Sequence, residues 1–212
     1  MYMKYKKFAV LPLRANAYIV YNGNEGFIID PGGSQNRLQH EIDALNLKIM
    51  AVLLTHGHFD HCGAAAYFQR QGAKVYIHHA DAEKTLSAEG SLAAAFGLPF
   101  VPFKADVLLH DGDIINIAGY EIKVIHTPGH TAGGVCYLIE NYIFSGDTIF
   151  LNSVGRTDLG EDGDHYELLA SIMNKLFTLK GDYEILPGHE ENTTLLSEKE
   201  NNPYLEFGWN KY

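Results

Sequence analysis

The fold is decided where a predicted buried strand ends, at the seven residues Thr55-His56-Gly57-His58-Phe59-Asp60-His61. Residues 51–54 before this run are continuously apolar, as a strand buried on both faces requires. Residues 63–71 after it are rich in alanine and predict a helix. The turn between them carries nitrogen and oxygen donors that can converge without helical spacing. The run therefore predicts a metal site with the candidate ligands His56, His58, Asp60 and His61.

Three further candidate ligands each follow a predicted strand. They are His130 in the loop 127–131, Asp147 in the stretch 145–148 and His189 in the loop 186–190. A lone histidine beside a glycine is more often structural than a ligand. Ligands nevertheless gather at strand ends in α/β folds, so we expect these three side chains to lie beside the 55–61 run.

Hydrophobic periodicity predicts two sheets and their flanking helices. A first sheet is expected to begin with a meander at residues 8–13, 17–21 and 27–29, followed by a helix that Ser34 can cap. A second sheet is predicted from residues 74–77, 114–117, 121–125, 135–139 and 142–144. Asp164 and Glu167 form a capping box before a helix, and a strand at 183–186 follows it. This order favours an α/β fold, a four-layer αββα sandwich of two mixed β-sheets flanked by helices, in a single domain spanning residues 1–212.

Composition excludes several classes of partner. The formal charge of −10 would repel a phosphate backbone, so nucleic acid is not expected as a partner. The chain has no apolar run of the length that crosses a bilayer and no signal-peptide pattern, so no membrane partner and a cytoplasmic location are expected. The two cysteines, Cys62 and Cys136, are too few for a disulfide framework and predict a reducing compartment.

The motifs together resemble those of the metallo-β-lactamase superfamily over nearly the whole chain. The resemblance consists of the His-x-His-x-Asp-His run, the Thr-Pro-Gly-His loop ending at His130, the Ser-Gly-Asp strand end at Asp147 and the Pro-Gly-His loop at His189. Residues 153–159, 163–165 and 201–205 are similar to the short, single-domain glyoxalase II-like branch, the hydroxyacylglutathione hydrolase-like enzymes. The resemblance implies the metallo-β-lactamase fold for this chain.

The resemblance also implies a ligand set for two divalent metal ions. One ion would be held by His56, His58 and His130, the other by Asp60, His61 and His189, and Asp147 would bridge them. Zinc is the first expectation, but imidazole and carboxylate also accept iron or manganese. A metal-bridging hydroxide would be the nucleophile, because metal binding lowers the pKa of water from 15.7 to about 7. Asp60 is the candidate catalytic residue, since its carboxylate can orient that hydroxide.

The implied activity is hydrolysis of a thioester such as S-lactoylglutathione or a related acyl-thiol. Within the superfamily, the alternatives are an iron-dependent persulfide dioxygenase, which would use only His56, His130 and Asp147, and another ester or lactone hydrolase. A zinc β-lactamase is disfavoured because such enzymes are exported, whereas this sequence shows no signal-peptide pattern. The alternative that is not an enzyme is a metal-binding interaction module.

The substrate contacts and the remaining histidines are less defined. The aromatic-rich segment 86–103 is a candidate substrate wall, an ordinary packed insertion or the contact of a homodimer. Arg156 and Asp158 are expected to form a buried ion pair that braces the loop after Asp147, and contact with substrate is the alternative. The histidines outside the ligand set are expected to be structural, and His126 and His165 are the two that could act at the site.

Overall fold

The computed structural model describes residues 3–205. Its first sheet has six strands that lie in chain order. The first three form an antiparallel meander, and the third to the sixth run parallel. The strands are β1 Lys4–Val10, β2 Ala15–Asn22, β3 Glu25–Ile29, β4 Lys48–Leu53, β5 Lys74–His78 and β6 Val107–Leu109. Parallel neighbours need crossover connections, which the helices between β3, β4 and β5 provide.

The second sheet also has six strands, in the order β14-β13-β10-β9-β8-β7. Only β10 and β13 pair in parallel. The strands are β7 Ile114–Ile117, β8 Tyr120–His126, β9 Val135–Ile139, β10 Tyr142–Gly146, β13 Glu184–Pro187 and β14 Thr193–Thr194. A small hairpin formed by β11 (Ile149–Phe150) and β12 (Ser153–Val154) follows β10.

The helices are short. They are α1 Gln35–Ala44, α2 Phe59–Cys62, α3 Ala65–Arg70, α4 His165–Ser171 and α5 Leu195–Asn201. A π-helical turn, Ile172–Leu176, continues α4, and two 3₁₀ segments, His79–Leu86 and Ala94–Phe96, lie between β5 and β6. Asp164 caps α4 as predicted, because its side chain accepts a hydrogen bond from the backbone N–H of Glu167. None of the described helices is both long enough and apolar enough to cross a bilayer.

Three apolar layers hold these elements together. Leu38 of α1 and Phe68 of α3 pack on the outer face of the first sheet. Leu168 and Leu195 do the same for the second sheet. The layer between the sheets takes the alternate residues of both, including Tyr18, Phe27, Leu53, Val124, Tyr137 and Phe144. The predicted four-layer αββα sandwich of two mixed sheets is therefore confirmed.

The structure corrects four details of the prediction. The strand expected at 74–77 belongs to the first sheet, because the β4–α3–β5 connection places β5 parallel to β4. The first strand ends at Val10, because residues 11–14 form the turn into β2. The helix expected at 63–71 is divided into α2 and α3. Ser34 makes no side-chain cap on α1, and its hydroxyl instead accepts a hydrogen bond from the backbone N–H of Leu11.

Candidate metal centre

All seven candidate ligands lie at strand ends on one edge of the two sheets. The first sheet supplies the residues that follow β4, with Asp60 and His61 inside the short helix α2. The second sheet supplies His130 from the loop after β8, Asp147 from the end of β10 and His189 from the loop after β13. These ligands are far apart in the chain, and the sandwich brings them to one cavity.

The first cluster contains only histidines. One ligand atom each from His56, His58 and His130 lies within 4.8 Å of the other two. His130 Nδ1 donates to the backbone oxygen of Arg156 at 2.5 Å, which leaves its Nε2 unprotonated in the neutral ring. This Nε2 lies 3.0 Å from His58 Nδ1. Burial and the adjacent His130 ring lower the pKa of His58 to about 3, so the ring is neutral, as metal binding requires.

The second cluster combines a carboxylate with two histidines. One ligand atom each from Asp60, His61 and His189 lies within 4.8 Å of the other two. His189 Nε2 is 3.3 Å from His61 Nε2 and also 3.3 Å from Asp60 Oδ2. Burial disfavours the charge of Asp60, but the imidazoles of His61 and His189 outweigh it and lower the pKa of the carboxyl. Asp60 is therefore ionised at neutral pH.

Asp147 lies between the two clusters. Its Oδ1 is 3.4 Å from His61 Nε2, and its Oδ2 is 3.6 Å from both His130 Nε2 and His189 Nε2. One carboxylate thus faces members of both clusters. That position is the one a bridging ligand needs.

Two observations indicate that the site is built for cations. Three buried side-chain atoms of residues 3–205 have no hydrogen-bond partner, and two of them, His56 Nε2 and Asp147 Oδ1, are here. Buried polar atoms are nearly always satisfied, so these two orphaned atoms need a partner such as a metal ion. Burial also disfavours a charged His61, yet the carboxylates of Asp147, Asp60 and Asp30 raise its pKa to about 10. The raised pKa of His61 reflects a negative field that divalent ions would neutralise.

Asp30 supports the second cluster, although its sequence context marks it only as part of a turn. Its Oδ2 accepts hydrogen bonds from His61 Nδ1 at 2.9 Å and from Thr55 Oγ1 at 2.6 Å. Its Oδ1 accepts from the backbone N–H of Thr55 at 2.8 Å. The contact with Nδ1 leaves His61 Nε2 facing the cluster, which is how residues behind a metal ligand fix its tautomer.

Two residues of β2 hold the His189 loop in place. The Asn16 amide donates to the backbone oxygens of Pro187 and Glu190, both at 2.9 Å. The Tyr18 hydroxyl donates to the same Pro187 oxygen at 2.7 Å. The first sheet therefore positions a ligand that the second sheet supplies.

The clusters form the floor of a cavity of about 920 Å³. Its apolar wall includes Phe59, Leu92, Phe96 and Phe150, and Arg14 lies at its rim. Segment 86–103 divides its side chains between two tasks. Leu92 and Phe96 line the cavity, whereas Phe100 and Phe103 pack against the core of the first sheet.

The other expected residues are not members of the ligand clusters, although the Arg156 backbone accepts a hydrogen bond from His130 and Arg156 also lines the cavity. Arg156 and Asp158 do form a two-pronged ion pair, at 2.9 and 3.0 Å, but both side chains are exposed, so the expectation of a buried pair is wrong. His126 donates from Nε2 to the oxygen of Ala132 and stacks on His78 with ring centroids 4.0 Å apart. His165 is exposed at the start of α4. Cys62 and Cys136 are free and buried.

The fold and the paired clusters define a metallo-hydrolase of the metallo-β-lactamase superfamily, and the chain belongs to that superfamily, whose family model matches residues 10–189. The chain is 35% identical to the probable metallo-hydrolase YqgX of Bacillus subtilis, over 96% of this chain and 98% of that protein. It is 36% identical to the hydroxyacylglutathione hydrolase GloC of Haemophilus influenzae, over 84% of this chain and 86% of that one.

Solved structures show the same architecture. The B3 metallo-β-lactamase BLEG-1 superposes with a TM-score of 0.90 at 37% identity, covering 96% of this chain and 100% of that one. TTHA1623 in a di-iron-bound form gives a TM-score of 0.83 at 35% identity, over 94% of this chain and 100% of that one. ETHE1 from Myxococcus xanthus gives 0.79 at 26% identity, over 95% and 84%. Family and clusters together indicate a dinuclear metal site, whose metal these similarities do not identify.

Proposed function

We propose that the protein hydrolyses the thioester bond of a small acyl-thiol, such as S-lactoylglutathione, at a centre of two zinc ions. The observation that carries the proposal is the pair of three-residue clusters with Asp147 between them, at the floor of a cavity large enough for a small-molecule substrate. The similarity to the Haemophilus influenzae hydroxyacylglutathione hydrolase supports the thioester as the bond that is cleaved.

The residues of the chain fit this reaction. Two divalent ions held by the clusters would supply hydroxide at neutral pH and polarise the substrate carbonyl. The ionised Asp60 can accept a hydrogen bond from that hydroxide and orient it for attack. The thiols of Cys62 and Cys136 are unsuited to act as nucleophiles, because burial raises the pKa of both, that of Cys136 to about 11. A thiolate leaves readily, so the site needs no dedicated acid.

The cavity wall suits an acyl-thiol with an anionic end. Phe59 and Phe96 pack against each other with ring centroids 5.1 Å apart and shield one side of the clusters from water. Arg14 at the rim makes no ion pair with any residue between 3 and 205, whereas Arg156 is neutralised by Asp158. An uncompensated guanidinium can pair with a carboxylate of the thiol, as glutathione would provide.

Phe96→Ala should weaken substrate binding and leave the chemical step nearly unchanged. Phe96 is 48% exposed, so its ring is available to a ligand, and losing that apolar contact should raise KM about 10-fold, equivalent to ~1.4 kcal/mol. Steady-state kinetics with S-lactoylglutathione would measure KM and kcat separately. Leu196→Ala is the matched control, since Leu196 is 49% exposed on α5 and does not line the cavity. Equal KM values for Phe96→Ala and the unaltered protein would contradict this role for Phe96.

The proposed hydrolysis has two main rival activities. The similarity to the B3 metallo-β-lactamase BLEG-1 makes β-lactam hydrolysis one rival activity. The persulfide dioxygenase named from the sequence motifs is the other. A dioxygenase that used one iron on His56, His130 and Asp147 would leave the complete cluster of Asp60, His61 and His189 without a task. This second cluster favours the two-metal hydrolase.

One set of assays separates these activities. Elemental analysis would measure the number of metal ions per chain. Hydrolysis would be assayed with S-lactoylglutathione, a lactone and a chromogenic β-lactam, and oxygen uptake would be assayed with glutathione persulfide. We expect two zinc ions per chain and fastest turnover of the thioester. One iron per chain with oxygen uptake would overturn the proposal, and so would a β-lactam or lactone turned over faster than any thioester. Metal binding with no turnover in any assay would favour an interaction module.

We further propose a cytoplasmic location, with neither nucleic acid nor a membrane as partner. The charge of −10 and the two free, buried cysteines support this. A homodimer through segment 86–103 stays a prediction, for which sedimentation of the purified protein is the test.

A further inference from the structure

A second buried carboxylate, besides Asp30, lies behind the metal centre and belongs to neither of the two clusters. Asp81 is in the 3₁₀ segment that follows β5, and its side chain is fully buried. Its Oδ2 accepts hydrogen bonds from the backbone N–H of Gly57 and from Thr131 Oγ1, both at 2.8 Å. Its Oδ1 accepts from the backbone N–H of Gly133, also at 2.8 Å.

These three donors lie beside the ligands of the three-histidine cluster. Gly57 is between His56 and His58, and Thr131 directly follows His130. The two loops come from different sheets, so one carboxylate joins the loop of the first sheet to the loop of the second. The fit is close, because a Cβ on Gly133 would lie 2.5 Å from the Asp81 nitrogen.

Burying this carboxylate is unfavourable by itself. Burial raises the pKa of Asp81, even though the hydrogen bonds of Gly57, Thr131 and Gly133 and the nearby Lys84 favour its charged form. Apolar packing alone could fill the same space without the cost of desolvating a charge. A carboxyl group placed there despite this cost, with three donors directed at it, indicates a task beyond packing.

The two halves of the metal centre differ in their supports. Asp81 contacts only the loops of the first cluster. Asp30 contacts His61 of the second cluster directly and reaches His56 of the first through the Thr55 hydroxyl, which lies 3.1 Å from His56 Nδ1. We propose that Asp81 is a positioning residue that sets the geometry of the His56, His58 and His130 site, so that this site can be weakened without the other. The proposal rests on the two-metal centre of the proposed function but not on its substrate.

Metal-binding measurements on two matched variants test this. Asp81→Asn puts an amide N–H₂ where a backbone N–H now donates, and Asp30→Asn does the equivalent in the other half. Binding of two zinc ions would be followed by competition with a chromogenic chelator. Residues behind a ligand typically change metal affinity by roughly 10–100-fold, so we expect Asp81→Asn to lose about that factor at one ion and keep the other. Asp30→Asn should weaken the ion at His61, which Asp30 contacts directly.

Cobalt absorption spectra identify which ion is affected. With one equivalent of cobalt, Asp81→Asn should give the spectrum of His58→Ala, which lacks the three-histidine site. Asp30→Asn should give a different spectrum from Asp81→Asn, because Asp30 contacts His61 directly. Thr131→Val removes only one of the three hydrogen bonds to Asp81, so it should fold even if Asp81→Asn does not. Its metal affinity should fall by a smaller factor, at the same ion. Asp158→Asn, on an exposed side chain, should bind both ions normally.

Three results would overturn the proposal. The first is a lowered melting temperature of metal-free Asp81→Asn with both zinc affinities unchanged, which would mark a merely structural residue. The second is equal weakening of both ions. The third is an unaltered protein that binds a single ion, which would remove the two-metal centre as well. Two bound ions without thioester hydrolysis would refute only the proposed function.

Discussion

Asp147→Ala should abolish turnover and leave a folded chain. The carboxylate of Asp147 lies within 3.6 Å of nitrogens from both clusters, so its removal deprives two ions of a shared ligand. We expect metal content to fall from two ions per chain to one or none. Activity should fall at least ~10³-fold, more than the roughly 10–100-fold that a residue behind a ligand typically costs.

The measurement is elemental analysis of the purified variant, paired with thioester hydrolysis and circular dichroism. Asp147 contributes no apolar contact to any of the three core layers, so secondary structure should persist. Asp43→Ala is the control, because Asp43 is an exposed aspartate of α1 whose carboxylate accepts a hydrogen bond from Gln39 and does not line the cavity. Retention of two ions and full activity in Asp147→Ala would refute the bridging role.

Gly188→Ala should damage the metal centre through crowding alone. A Cβ at this position would lie 2.2 Å from Asp147 Oδ1, 2.8 Å from His61 Cε1 and 2.9 Å from the backbone carbon of Gly146. Such distances force these atoms to move, and overpacking of this kind costs about 1–3 kcal/mol. A shift of about 1 Å at reacting groups can cost ~10²-fold in rate, so we expect at least that loss.

The matched control separates crowding from the general effect of adding a methyl group to a glycine. Gly181 has φ of +100°, and no atom of the described chain lies within 4 Å of the position that a Cβ would take there. Gly181→Ala should therefore cost ~1 kcal/mol of backbone strain and leave the site intact. Thermal melting, metal content and kcat would be compared for both variants. Normal metal content and kcat in Gly188→Ala would show that the close approach to Asp147 is not needed.

The sequence predicted the ligands better than the groups that support them. His56, Asp147 and His189 stand out because each follows a strand in a short polar turn, and such turns meet at one edge of a sandwich. Asp30 and Asp81 stand out in no such way. Their partners are 24 to 52 residues distant in the chain, and no local pattern reveals a hydrogen bond over that separation.

The layer order was likewise predictable, but strand partners were only partly so. Alternation identifies β5 as a strand without indicating which sheet it joins. That choice depends on the handedness of the β4–α3–β5 crossover, which is a property of three-dimensional packing. The burial of Arg156 and Asp158 was mispredicted for a related reason, since a loop sequence does not reveal whether anything covers it.

Each cluster has ligands from both sheets. We therefore expect the residence time of each ion to depend on how much the two sheets move relative to each other. His58 and His130 come from opposite sheets, and so do His61 and His189. We expect an ion held by ligands of both sheets to leave faster when the sheets move apart at this edge. The rate of isotope exchange at the metal centre would therefore report how often the two sheets separate transiently. Substitutions in the apolar layer between the sheets, far from any ligand, should increase this exchange rate.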